Sequence, residues 1–233
     1  MESTSETVVI TGASGNLGRA VADAFARRGA NLVLVARHRD GLAQHFGDED
    51  ARRLFVAADL ATNDGAKAVV DAALARFGRI DVLCNLAGGF RVAAVHETSD
   101  EAWRFLFDLN VKTVLDMARA VVPAMLAAGH GFIVNVAAYA ALRASANMGA
   151  YAASKSAVIR LTEAMSAELR THGINVNCVL PTTIDTPENR QAMPQSDPAR
   201  WVSPADLAGI IAFLASPAAR AIHGAAIPVT GLV

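Results

Sequence analysis

Tyr151 and Lys155 stand four residues apart in Gly149-Ala150-Tyr151-Ala152-Ala153-Ser154-Lys155. Residues at that spacing share one face of a helix. A free tyrosine has a pKa of about 10, too high for easy proton exchange near neutrality. A neighbouring ammonium favours the phenolate and brings the phenol closer to a useful acid or base. The expectation is that Tyr151 carries a proton to or from a substrate and that Lys155 lowers its pKa. Pairs at this spacing also arise by chance, so its weight depends on its setting.

A second pattern lies near the start. Val8-Val9-Ile10-Thr11 runs into Gly12-Ala13-Ser14-Gly15-Asn16-Leu17-Gly18, and a helical pattern follows. Glycine permits positive φ and lets a phosphate approach the backbone. The helix start adds free N–H groups and the positive end of its dipole. Between a first strand and a helix, such a turn marks a dinucleotide site, with Gly12, Ser14, Gly15, Asn16, Leu17 and Gly18 as candidate contacts. The second strand ends Val35-Ala36-Arg37, with no acid at Ala36 for an adenosine ribose. Arg37 can pair with a 2′-phosphate instead, so NADP(H) is favoured and NAD(H) stays open. With a nicotinamide in view, Lys155 acquires a second expected task, holding its ribose, and the reaction becomes hydride transfer.

These residues need a frame. Short β-branched runs (Thr7–Thr11, Asn31–Ala36, Leu54–Ala58, Asp81–Leu86, Phe132–Val136, Asn175–Leu180, Ala226–Val229) alternate with helical segments. The helical segments include Asn16–Arg28, Asp64–Phe77, Asp100–Ala128, Ala150–His172 and Pro204–Ala215. This alternation predicts an α/β fold, a doubly wound Rossmann-type seven-stranded parallel sheet with helices on both faces. Ligands bind such sheets beyond the carboxyl ends of the strands. No linker or repeat divides residues 1–233, so one dinucleotide-binding and catalytic domain is expected. Thr182–Trp201 lacks periodicity and is expected to be a loop serving as a substrate lid.

Of the 233 residues 53% are hydrophobic and 18% charged, which excludes a disordered or fibrous chain. A net charge of -1 without a basic cluster argues against nucleic acid. The polar, acidic start Met1–Thr7 lacks the pattern of a secretion signal. Apolar runs such as Leu32–Ala36 are too short to span a bilayer. A cytoplasmic protein with a small-molecule substrate is expected by elimination. Cys84 and Cys178 read as buried thiols, and the six histidines show no metal-ligand spacing, so no metal is expected.

With the glycine turn and the Tyr–Lys pair in place, the chain resembles the short-chain dehydrogenase/reductase family over essentially its whole length. Asp59, with Leu60 beside it, looks like the family's adenine-contacting acid. Asn85-Leu86-Ala87-Gly88 resembles its Asn-Asn-Ala-Gly motif, which places Ala87 and Gly88 at the cofactor. Asn110 matches the active-site asparagine that supports a helix bend and a proton-relay water. Pro181–Thr186 resembles the segment after the sixth strand, putting Pro181, Ile184 and Thr186 near the carboxamide and phosphates. The resemblance also implies a homodimer or homotetramer, formed through the Trp103–Ala128 and Ala150–His172 helices.

The departures bear on substrate. Ala138 stands where the family carries a serine that orients the substrate carbonyl. Ser145, Asn147 or Tyr139 are candidates to replace it, or are loop residues without a role. Asn16 replaces a glycine, Leu86 an asparagine and Thr182 a glycine. The missing serine, Ala87-Gly88-Gly89-Phe90 and Leu180–Arg190, continuing to Met193-Pro194 and Trp201, are similar to the dihydropteridine reductase branch. Arg37 and Asn110 look more like ordinary members. The leading expectation is an NADPH-dependent reductase of a quinonoid ring or carbonyl compound, with Phe90 and the lid shaping the pocket. The alternatives are a 3-oxoacyl or general carbonyl reductase and, favoured by Ala138, a non-catalytic NADP-binding sensor.

Overall fold

In β1 (Thr7–Thr11) alternate side chains enter different cores: Val8 and Ile10 pack on one face of the sheet and Val9 on the other. The computed structural model describes residues 5–232; the expectation drawn from Met1–Thr4 falls outside them. β2 (Asn31–Ala36), β3 (Arg53–Ala57), β4 (Val82–Asn85), β5 (Gly131–Val136), β6 (Ile174–Pro181) and β7 (Ala226–Val229) complete the sheet. All neighbours are parallel, in the order β3-β2-β1-β4-β5-β6-β7. Coverage on both faces explains the near-continuous apolar strands.

One face is covered by α1 (Asn16–Ala26) and α8 (Pro204–Leu214), through Val21, Phe25, Leu207 and Ile211. Truncating a side chain as buried as Phe25 costs about 3–5 kcal/mol. The other face carries α3 (Asn63–Phe77) and α5 (Thr113–Ala128), through Val69, Val70, Met117 and Met125. Alongside them α6 (Gly149–Leu169) packs Val158 and Ile159 against Cys178 and Leu180 of β6. The chain winds one way from β1 to β3, then returns to place β4 on the other side of β1. The carboxyl ends of β1 and β4 therefore flank the crevice in which such sheets take ligands.

Three features depart from the expected pattern. The helix anticipated over Asp100–Ala128 is broken: α4 (Asp100–Phe107) passes into a π-helical turn, Asp108–Lys112, before α5. Thr182–Trp201 is not one irregular loop, because it holds α7 (Pro187–Ala192) and a 3₁₀ turn at Pro198–Arg200. Thr186 and Asp197 cap these two turns through their side chains. α2 (Arg39–Phe46) was not anticipated; it buries only Leu42 and so lacks a helical apolar stripe. Both cysteines are buried free thiols. Among the described residues no helix is long and apolar enough to cross a membrane.

Candidate active site

Gly12 leaves β1 with φ +66°, and a Cβ there would stand 3.0 Å from the Ala87 backbone nitrogen. Gly18 lies so close over Gly12 and Ala13 that any Cβ would meet their backbone. The two glycines fold the turn tightly against the end of β4. Thr11 Oγ1 ties it there, accepting from the N–H groups of Leu86 (3.0 Å) and Ala87 (3.1 Å). Gly15 caps α1 without a side-chain hydrogen bond, so the first amides of α1 keep no side-chain partner. Such amides and the helix dipole fit a pyrophosphate.

The expected adenosine side is less uniform. Ser14 packs beside Gly41 of α2, 3.4 Å from the position of a Cβ there. Arg37 is exposed just past β2 and, among the described residues, has no hydrogen-bond or ion-pair partner. Asp59 is exposed past β3, with its carboxylate accepting from Ala61 N–H at 3.0 Å, while Leu60 is buried. Pro181 ends β6 inside the protein; Ile184 is bridged to Val202, and Thr186 caps α7.

The π-helical turn explains Asn110. Widening the helix there turns its fully buried amide toward Gly89 and α6. Asn110 Oδ1 accepts from Gly89 N–H (2.8 Å), and Nδ2 donates to Gly89 C=O (3.1 Å) and Ser154 Oγ (3.0 Å). Ser154 Oγ donates to the Tyr151 carbonyl at 2.7 Å. Lys155, buried on the same helix, donates from Nζ to the Val136 carbonyl at 2.9 Å. A Cβ on Gly88 would lie 3.0 Å from Asn110 Oδ1 and 3.2 Å from Lys155 Nζ. The ends of β4 and β5, the π turn and α6 therefore converge at one point.

Burial shifts both titrating groups away from their charged forms. It pushes the Tyr151 phenol up to about 12 and draws the Lys155 ammonium down to about 8. For the protein alone, burial therefore raises Tyr151, the opposite of the lowering expected from Lys155. Tyr151 is a complete phenol near neutrality, suited to donating a proton.

On the substrate side, the rings of Phe90 and Tyr151 meet edge-on, with centroids 4.8 Å apart at 85°. Phe90 is 56% exposed, so much of its ring faces solvent. Ala138 is buried in extended backbone past β5 and offers no donor. Its candidate replacements sit elsewhere in character. Ser145 and Asn147 are exposed in the turn before α6, and Tyr139 is exposed in a 3₁₀ turn. Asn147 has φ +64°, and its carbonyl accepts from Ala93 N–H at 2.9 Å, an architectural use of its backbone.

Sequence reasoning assigned no task to Thr11, Ser154, Asn85, Asn135, Thr162 or Glu188. Thr11 and Ser154 are generic residue types whose tasks depend on the fold. Asn85 donates to Asn135 (2.9 Å) and Asn135 to Thr162 (2.9 Å), a buried ladder locking β4, β5 and α6 beneath the site. Glu188 of α7 accepts from Asn16 at 2.8 Å.

A glycine-turned dinucleotide crevice with a Tyr–Lys pair at its floor defines a class, the nicotinamide-dependent oxidoreductases on a doubly wound sheet. The family profile described as short chain dehydrogenase matches residues 6–197, and the chain belongs to the short-chain dehydrogenase/reductase family. It is 36% identical to D-threitol dehydrogenase of Mycolicibacterium smegmatis, over 97% of this chain and 92% of that one. Among solved structures, a 3-ketoacyl-(acyl-carrier-protein) reductase from Brucella melitensis complexed with NADH is similar at TM-score 0.88 and 32% identity, covering 97% of each chain. A gluconate 5-dehydrogenase from Burkholderia cenocepacia in complex with NADP and tartrate follows at TM-score 0.89 and 32% identity, covering 97% of this chain and 94% of that one.

Proposed function

We propose that this chain interconverts a secondary alcohol and a ketone on a small molecule, with Tyr151 moving the proton. The observation that carries the reading is the convergence of Asn110, Ser154, Tyr151 and Lys155 around Gly88, next to the Ala87 backbone on which Gly12 of the glycine turn packs. When bound, the nicotinamide dinucleotide supplies or accepts the hydride. The backbone of Gly12–Gly18 would hold its phosphates, Ala87 and Gly88 would line its path, and Asp59 and Leu60 would lie at the adenine. Tyr151 gives its proton to the alkoxide oxygen as it forms. Lys155 steadies the resulting phenolate and binds the ribose. Asn110 holds the α4–α5 bend and the water through which the proton is replaced. The unpartnered guanidinium of Arg37 supports NADP(H) over NAD(H). The pinned 182–201 segment forms the outer wall of the pocket.

A second reading, reduction of a quinonoid ring as in the dihydropteridine reductases, is favoured by Ala138 and Phe90. A flat ring lies well against an aromatic edge and asks for no carbonyl-orienting hydroxyl. Assays with polyols, sugar acids, 3-oxoacyl thioesters and quinonoid dihydropterin separate the two. Ketone and alcohol turnover, lost in Tyr151→Phe while NADPH fluorescence still reports binding, is the expected result. Turnover of the pterin alone overturns the first reading; binding without turnover of anything favours a sensor.

A further inference from the structure

β6 lies three places from β1 in the sheet, separated from it by β4 and β5. At about 4.8 Å per strand, the carboxyl ends of β6 and β1 are about 14 Å apart. α7 leaves the end of β6 and reaches the start of α1, beside β1, crossing that gap. The contact is specific: Asn16 Nδ2 donates to Glu188 Oε2 at 2.8 Å, and the Arg19 guanidinium donates to Asn16 Oδ1. Asn16 is the first residue of α1, directly after the glycine turn, and Glu188 the second of α7.

α7 is braced to behave as one piece. Thr186 caps it, Asn189 Nδ2 donates to the Ile184 carbonyl at 2.8 Å, and Arg190 grips Asp185 through two hydrogen bonds of 2.6 and 2.7 Å. Among the described residues, the Asn16–Glu188 bond is the hydrogen bond that ties α7 to an element outside the 182–201 segment. The Glu188 carboxyl is held below the usual range, chiefly by its own backbone N–H and the Thr186 hydroxyl, with Asn16 and Arg19 adding to them. It is therefore an ionised acceptor at neutral pH.

We propose that Asn16 and Glu188 form a latch that closes α7 over the pyrophosphate of a bound dinucleotide and sets the rate at which the cofactor leaves. Both are positioning residues, acting through the strap and not on the reacting atoms. The inference rests on the cofactor lying along the glycine turn. It needs Asn16 in particular, because a glycine there has no side chain to reach α7.

Stopped-flow release of NADPH, followed by its fluorescence, tests the latch directly. In Glu188→Ala and in Asn16→Gly, release accelerates by about three- to tenfold, the range of one exposed, charge-assisted hydrogen bond. Glu188→Gln keeps an acceptor for Asn16 and stays within about twofold of wild type. The double variant Asn16→Gly/Glu188→Ala is no faster than the quicker single one, because both remove the same bond. In the cofactor-free protein, amide exchange across residues 187–192 speeds up in Glu188→Ala while the sheet amides hold, which separates an opened strap from misfolding. Unchanged release in Glu188→Ala, slower release in it, or additive single effects overturn the latch and leave the cofactor site standing. Wild-type protein that binds neither NADPH nor NADH overturns both.

Discussion

Tyr151 and Lys155 are each driven toward neutrality by the same burial, and the consequences run in opposite directions with pH. The Lys155 ammonium, lowered to about 8, is charged at neutrality and lost above that value. While charged it stabilises the phenolate that forms as Tyr151 gives up its proton. The value of kcat/KM for reduction is therefore expected to stay level below pH 8 and fall above it. Lys155→Arg, whose guanidinium keeps its proton, should carry the descending limb to higher pH, and an unchanged limb would assign it to another group. Stability has its own sign. A folded pKa below the unfolded 10.5 means that the folded state bears the cost of a buried charge below pH 8 and sheds it between about 8 and 10.5. The difference in Tm between Lys155→Met and wild type should thus narrow over that window. Ala138 is the other decisive residue, for a methyl group cannot orient a carbonyl, and on the proposed reading that task would fall to Phe90 and substrate shape.

At the scale of elements, the π turn between α4 and α5 converts a helix residue into a brace. Asn110→Leu would leave Gly89 and Ser154 without their buried partner, at about 1–3 kcal/mol for each group left unpaired. We expect a lower Tm and a collapse of kcat together, since Ser154 and Tyr151 share one turn of α6; full activity would remove Asn110 from the mechanism. The opposite end of β4 offers a contrast. Asp81 is buried there, accepting from Thr7 N–H at 2.8 Å, from Arg79 and from His130. Burial alone would raise its pKa, but the Arg79 guanidinium, the Thr7 amide and His130 together hold it below 3.8. That stabilisation is complete above the unfolded value and is lost as pH falls through the lower folded one. Asp81→Asn should therefore lower Tm at pH 7 and flatten the acid limb of stability, with kcat unchanged because the site lies at the other end of the strand.

At the scale of the molecule, the exposed aromatic surface bears on assembly. Trp103 is 43% exposed on α4 and stacks on Phe107 with centroids 5.0 Å apart; Leu126 on α5 is 42% exposed. A shared α4–α5 face between subunits would bury these groups, and light scattering is expected to report a dimer or tetramer; a strict monomer at micromolar concentration would contradict it. The sheet order then gives the site its geometry, since four elements far apart in sequence reach one crevice only because β4 lies beside β1.

The sequence by itself determined the alternation of strands and helices, the glycine turn and the Tyr–Lys pair, because each depends on neighbours a few residues away. Period-two burial and helix-start chemistry are local, and β1, β2 and β7 were legible to the residue. The order of the strands, the broken helix around Asn110, the helix within 182–201 and the tie between Asn16 and Glu188 were decided by tertiary structure. Their causes lie in partners such as Gly89, Ser154 and Asn16, which no local pattern places nearby. The pKa values belong to the same class, because burial is a property of everything packed around a side chain. Four residues of spacing predicted a lowered Tyr151, whereas burial raises it in the protein alone.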